Sequence, residues 1–245
     1  MGQYFAKEWT GEPFQLFGTG HLIFLAMIVL INLSFIWLRK SESQQLKDRI
    51  RYGIAAMLLI SEGSWHIWNL AIGEWTIQTH LPFHLCSILV WTSLIMLLTK
   101  NYRIFEFAYF LGIAGASQAV LTPEAGIYGF PHYRVFQTLT AHGAVFTGAI
   151  FMTVVEGYRP TWDSFKRVFL WTNLYLVVVT GINLLIGSNY LYTLRKPDTA
   201  SLMDFLGPWP WYLLSLEVVA FTLCFFLYVP WIMKDRKAKL ALSGS

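Results

Sequence analysis

Two side chains in this sequence are suited to nucleophilic and acid–base chemistry. One is Cys86, in the run His80-Leu81-Pro82-Phe83-His84-Leu85-Cys86-Ser87; the other is His142, in Ala141-His142-Gly143-Ala144. Pro82 fits the first turn of a helix predicted over 81–99, because its missing N–H costs nothing there. Cys86 then lies about one turn inside a helix N-terminus, where the macrodipole and free amides favour a thiolate and a nearby imidazole favours it further. His142 lies ten residues into a predicted helix, about 15 Å from its outer end. Gly143, Ala144, Gly148 and Ala149 leave space around its ring, as a general base needs. The competing readings are an inert buried thiol and a histidine bonded to a carbonyl.

Other polar residues fall at similar depth. Glu62, His66, Asn69 and Gly73 are spaced four, three and four apart, which is one helical face. A carboxylate one turn from an imidazole can orient it and raise its basicity, or the two can serve as a packing pair. His84, Gln118 and Asn183 complete the set, the two amides being candidate donors to a developing oxyanion. Arg195 and Lys196, in a loop rich in proline and aromatic residues, suit a lipid headgroup phosphate or anionic headgroups in general.

The elements that must position these groups are membrane helices. The chain of 245 residues is 56% hydrophobic and only 13% charged, too poor in charge for an ordinary soluble domain. Seven apolar stretches, at 18–38, 50–73, 81–99, 103–121, 132–155, 165–187 and 208–232, are long enough to cross a bilayer. The expectation is an all-α polytopic membrane bundle of seven transmembrane helices, a single membrane domain over 1–240 with a short tail at 241–245. Basic residues favour cytoplasmic loops. Arg39, Lys40, Lys47, Arg49, Arg51, Lys100, Arg103, Arg159, Lys166, Arg167, Lys234, Arg236, Lys237 and Lys239 share one side, against Lys7, Arg134, Arg195 and Lys196 on the other. This predicts an N-terminus outside and a C-terminus in the cytoplasm.

With that topology all six histidines lie in the outer half of the bilayer or in outer loops. So many ionisable groups in one layer imply a shared polar cavity, because a lone charge in lipid costs several kcal/mol. The small residues Gly112, Gly115, Ala116 and Ala119 mark the fourth span as a central, closely packed helix. The basic residues form no stripe suited to nucleic acid. The two cysteines, Cys86 and Cys224, make no disulfide framework, and Cys224 reads as packing. The first 17 residues lack the pattern of a cleavable signal peptide, so the first span is expected to act as the insertion signal.

Leu81-Pro82-Phe83-His84-Leu85-Cys86, Ala141-His142-Gly143, the Gly187-Ser188-Asn189-Tyr190-Leu191 run and Gly207-Pro208-Trp209-Pro210-Trp211-Tyr212 together resemble a known family. The chain resembles the YwaF-type bacterial integral membrane proteins, which are similar to the animal transmembrane protein 164. The animal relative is described as a phospholipid acyltransferase acting on ether-linked lysophospholipids through an essential cysteine and histidine. The resemblance implies Cys86 as the acyl-accepting nucleophile and His142 as its base, in a bacterial plasma membrane. More distantly, membrane hydrolases related to androgen-induced protein share the helical architecture but use a threonine, so transfer and hydrolysis both stay open.

The functional expectation is therefore a cysteine-dependent acyltransferase or acyl hydrolase acting on glycerophospholipids from the outer leaflet. Its substrate is a phospholipid or lysophospholipid, and it needs no cofactor or metal. Two rivals stand beside it. His80 and His84 with His66 or His142 could bind a metal for lipid hydrolysis, and the polar layer could instead be a pathway for a small solute or protons.

Overall fold

The computed structural model of the protein describes residues 2–197 and 202–243, and among them regular structure is entirely helical. Eight α-helices follow in order: α1 Thr19–Leu38, α2 Gln44–Ala71, α3 Leu85–Thr99, α4 Tyr102–Phe107, α5 Ile113–Leu121, α6 Tyr133–Val154, α7 Trp162–Ile186 and α8 Trp211–Ser243. A π-helical turn over Ala108–Gly112 joins α4 to α5, so Tyr102–Leu121 is one continuous rod. Of the tail expected at 241–245, residues 241–243 close α8 and residues 244 and 245 lie outside the described part.

Among the described residues five helices are long and apolar enough to cross a membrane: α1, the α4–α5 rod, α6, α7 and Trp211–Lys237 of α8. The other two expected spans differ from the pattern for separate reasons. The helix α2 runs 28 residues but starts in a polar turn, with Ser43 accepting from the Leu46 amide as its N-cap, and it carries Glu62 and His66 further along. The polar residues of its second half, Ser61, Glu62, Ser64, His66 and Asn69, and not its length, set it apart from the five. The helix α3 has 15 residues, about 22 Å of rise. It begins at Leu85 and not at 81, because residues 77–84 are held in turns by long-range bonds described below.

The chain forms two compact units, one of residues 1–76 and 85–158 and the other of residues 77–84 and 159–245. In the first, α6 is the central helix and packs against α1, α2, α3 and α5. Small residues allow this. A Cβ on Gly143 would come within 2.9 Å of Ile28, and one on Gly148 within 3.3 Å of Leu97, so neighbouring helices press directly on the α6 backbone. Phe105, Phe110, Leu58, Leu97, Leu139, Phe151 and Met152 fill the core. The α4–α5 rod is buried through its π turn, but of the small residues expected to pack it closely Gly112 approaches Val145 while Gly115 faces open space, and the central helix is α6 and not this rod.

At one end of this unit Arg51 donates to the carbonyls of Leu97 and Leu98 at the close of α3 and to Asp48. Lys100 bridges Asp48 and Glu156. Near the opposite ends of α2 and α6 the N-terminal segment lies as a strap. The Trp68 indole donates to the Phe5 carbonyl, Tyr128 to the Lys7 carbonyl, and Lys7 pairs with Glu74.

In the second unit the α7–α8 connection folds around Tyr190 and Tyr212, both fully buried. The Tyr190 hydroxyl accepts from the Leu81 amide and donates to the Ile77 carbonyl, both at 2.8 Å, while Tyr175 donates to the Phe83 carbonyl at 3.0 Å. The Phe83 carbonyl is one that a helix starting at 81 would have used, and the other two bonds anchor the chain just before it. Cys224 is buried in α8, as the packing reading expects.

Candidate functional site

The site is built on three helices of the first unit. The second residue of α3 is Cys86, one step from the helix start and outside the reach of Pro82, which precedes the helix. Among the residues of α5 are Gly115 and Ala116, and α6 carries His142. These residues, with Leu85, Leu89 and Val145, line a pocket of about 20 Å³. That volume holds one water molecule or one group of carbonyl size. Gly115 is decisive for the space: a Cβ there would meet no atom within 4 Å, whereas one on Gly112, a turn earlier, would press within 3.3 Å of Val145. The pocket therefore exists at the point where α5 lacks a side chain. The residue Cys86 is exposed at the unit's surface, and it also lines the pocket.

The orientation of His142 is fixed by its own helix. Its Nδ1 lies 2.8 Å from the Thr138 carbonyl one turn back. A carbonyl can only accept, so Nδ1 carries the hydrogen and the neutral ring keeps its lone pair on Nε2. That is the tautomer a proton acceptor needs. The thiol and the imidazole thus share one pocket.

The polar face of α2 lies nearby. Glu62 is 4% exposed, its Oε1 has no hydrogen-bond partner, and Ser87, the residue after Cys86, approaches its carboxyl group. His66 Nε2 is 3.7 Å from that oxygen, an electrostatic contact too long for a hydrogen bond. Its Nδ1 accepts from the Trp75 indole at 3.0 Å, so Nε2 holds the proton facing Glu62. Asn69 is buried and donates to the Trp65 carbonyl on its own helix.

Arg134, which the sequence pattern assigned only to topology, also lies near this face. Its guanidinium stacks on the Trp65 ring at 4.1 Å and donates through Nη1 to Gln137 Oε1 and Thr138 Oγ1. It acts electrostatically on Glu62, Cys86 and His142. The signal that could have revealed it is spacing: Arg134, Thr138 and His142 are four apart in turn and share one stripe of α6.

Other expected site residues lie elsewhere. Gln118 is exposed on α5 and does not line the pocket. Asn183 belongs to the second unit, where its amide donates to the Tyr190 carbonyl and Thr193 Oγ1 and accepts from Ser188 Oγ and the Tyr190 amide. Fully engaged in shaping a loop, it has no donor left for an oxyanion. His84 also belongs to that unit, accepting from the Leu191 amide and packing edge-on against Tyr190. In the same loop Lys196 sits over the Tyr212 ring at 5.6 Å, and Arg195 is exposed. Among the described residues no three His, Cys, Asp or Glu side chains converge as a metal site would require. His80 instead bonds Thr79.

The profile of the TMEM164 family matches residues 16–228, from before α1 to the middle of α8. The chain belongs to the TMEM164 family. The match takes in every residue that lines the pocket. No curated protein matches the chain, and no solved structure does. A multi-pass membrane protein of this family is thus the frame for the pocket.

Proposed function

We propose that this TMEM164-family protein moves acyl groups of glycerophospholipids through Cys86 and His142, working from the outer leaflet of a bacterial plasma membrane. In this reading the seven apolar segments all lie in the bilayer, with the N-terminus outside and the C-terminus cytoplasmic. The observation that carries the reading is the shared pocket: Cys86 and His142 both line it, and the Thr138 bond leaves the Nε2 lone pair of the imidazole open.

The chemistry runs in two steps. His142 Nε2 takes the Cys86 proton, and the sulfur attacks the ester carbonyl of a phospholipid. The C–O bond breaks, the proton passes from His142 to the departing lysolipid oxygen, and a thioester remains on Cys86. An acceptor hydroxyl, from another lysolipid or from water, then gives its proton to His142 and attacks the thioester. The C–S bond breaks and the thiol is restored with the returned proton. A group of carbonyl size fits the 20 Å³ pocket, and in this reading the amides of the first turn of α3, which have no intrahelical partner, donate to the developing oxyanion.

The test is acyl exchange between defined phospholipids in detergent micelles, followed by mass spectrometry of lipids and of the intact protein. The expected result is a single acyl adduct on Cys86 and exchange lowered by about 10²-fold or more in His142→Ala. Exchange at the full rate in Cys86→Ser would overturn the reading.

A further inference from the structure

The α6 stripe that ends at His142 begins with an arginine the mechanism above does not use. Arg134 donates through Nη1 to two neutral oxygens and lies over the Trp65 ring. Among the described residues no carboxylate is at ion-pair distance from it; Glu62 and Glu124 act on it only through space. Among the described residues none accepts from its Nε or Nη2, and the residue is half-buried. A guanidinium held flat against an indole, with one nitrogen fixed and one edge of its fork left open, is pre-organised for a planar pair of bonds to an oxyanion.

The geometry points to Arg134 as the seat of a phosphate ester, and we propose that it holds the phosphate of the lipid whose ester lies at Cys86. The inference rests on the acyl-transfer reading for the identity of that lipid. Thr138 links the two ends of the stripe: its hydroxyl accepts from Arg134 and its carbonyl accepts from His142. The Cα atoms of Arg134 and His142 are two turns apart, about 12 Å along the helix, before their side chains extend. In a glycerophospholipid the phosphate and the nearest ester are one glycerol apart, so a phosphate on Arg134 leaves the ester to reach toward the base. Gln137 and Thr138 spend their oxygens on Nη1 and thereby set the direction of the open edge.

The test measures binding alone, in the Cys86→Ser background, so that failure of the catalytic step cannot be mistaken for failure of this site. Protein in maltoside micelles is titrated with lysophosphatidylglycerol and with a monoacylglycerol of the same chain, read by native mass spectrometry. The expected result is at least tenfold tighter binding of the phosphate-bearing lipid, a preference lost in Arg134→Gln and partly kept in Arg134→Lys, which has the charge without the fork. Equal affinity for the two lipids, or an undiminished preference in Arg134→Gln, would overturn it. A second measurement does not depend on a variant folding: phenylglyoxal labelling of Arg134, expected to be blocked by lysophosphatidylglycerol and not by the monoacylglycerol. Labelling unaffected by either lipid counts against the site. Protection by glycerol 3-phosphate alone at similar concentration assigns the site to free phosphate esters; protection only by the lipid assigns it to the headgroup of a membrane substrate.

Discussion

Gly115→Ala should separate stability from activity and move them in opposite directions. The position lies in the helical rod of α5, where alanine is favoured over glycine by about 0.5–1 kcal/mol because glycine loses more backbone freedom on folding. Nothing opposes that gain, since a Cβ at Gly115 has no neighbour within 4 Å. In a chain of this length the gain raises the melting temperature by about 1–4 °C. The new methyl group, however, enters a pocket of only 20 Å³. A reacting carbonyl displaced by about an ångström loses on the order of 10²-fold in rate. The assay pairs thermal unfolding in detergent with the acyl-exchange measurement. Gly112→Ala is the comparison: its Cβ would come within 3.3 Å of Val145, so it should raise the melting temperature less than Gly115→Ala does. If Gly115→Ala turns over at the wild-type rate, the pocket does not hold the reacting group, and if it destabilises the fold, the space is not open.

Three other outcomes follow from the same structure. Burial holds the imidazole of His132 below its ordinary range; its Nδ1 accepts from the Arg134 amide and Nε2 donates to the Ala6 carbonyl. The folded protein therefore resists a proton that the unfolded chain accepts, so its stability is full above pH 6.5 and falls by up to about 1.4 kcal/mol per pH unit below it. Melting curves from pH 8 to 5 should show this, and His132→Gln should flatten the slope. Asn183→Ala removes partners from the Tyr190 and Ser188 groups and should destabilise by about 2–4 kcal/mol, read as early proteolysis of the α7–α8 connection. Arg51→Met frees the carbonyls of Leu97 and Leu98 and should cost about 1.5–3 kcal/mol without changing the pocket, which lies at the other end of α3.

Hydropathy was enough to find α1, the α4–α5 rod, α6, α7 and α8, because in each the apolar run is long enough to outweigh the few charges it carries. It misplaced the start of α3, where Tyr190 and Tyr175 bind the backbone of residues 77–84 from about a hundred positions away. No local pattern around Pro82 carries that information. Shared depth and small neighbours pointed to Cys86 and His142 as partners, and the structure sets both on one pocket. Depth could not separate Asn183, an amide saturated within its own loop, from an amide free to act. Arg134 was hidden for the opposite reason: counted as a flanking charge, it turns inward because Trp65 offers a ring and Thr138 an oxygen one turn along.

The π turn at Ala108–Gly112 makes one rod serve two purposes. An inserted residue rotates everything after it by about 100° relative to an unbroken α-helix. The portion before the turn can therefore be dedicated to bulky rings such as Phe105, and the portion after it to the missing side chain at Gly115. Shortening the turn by one position would leave the rod equally apolar and equally long while swinging a different stripe toward His142, so a deletion invisible to hydropathy would close the cavity.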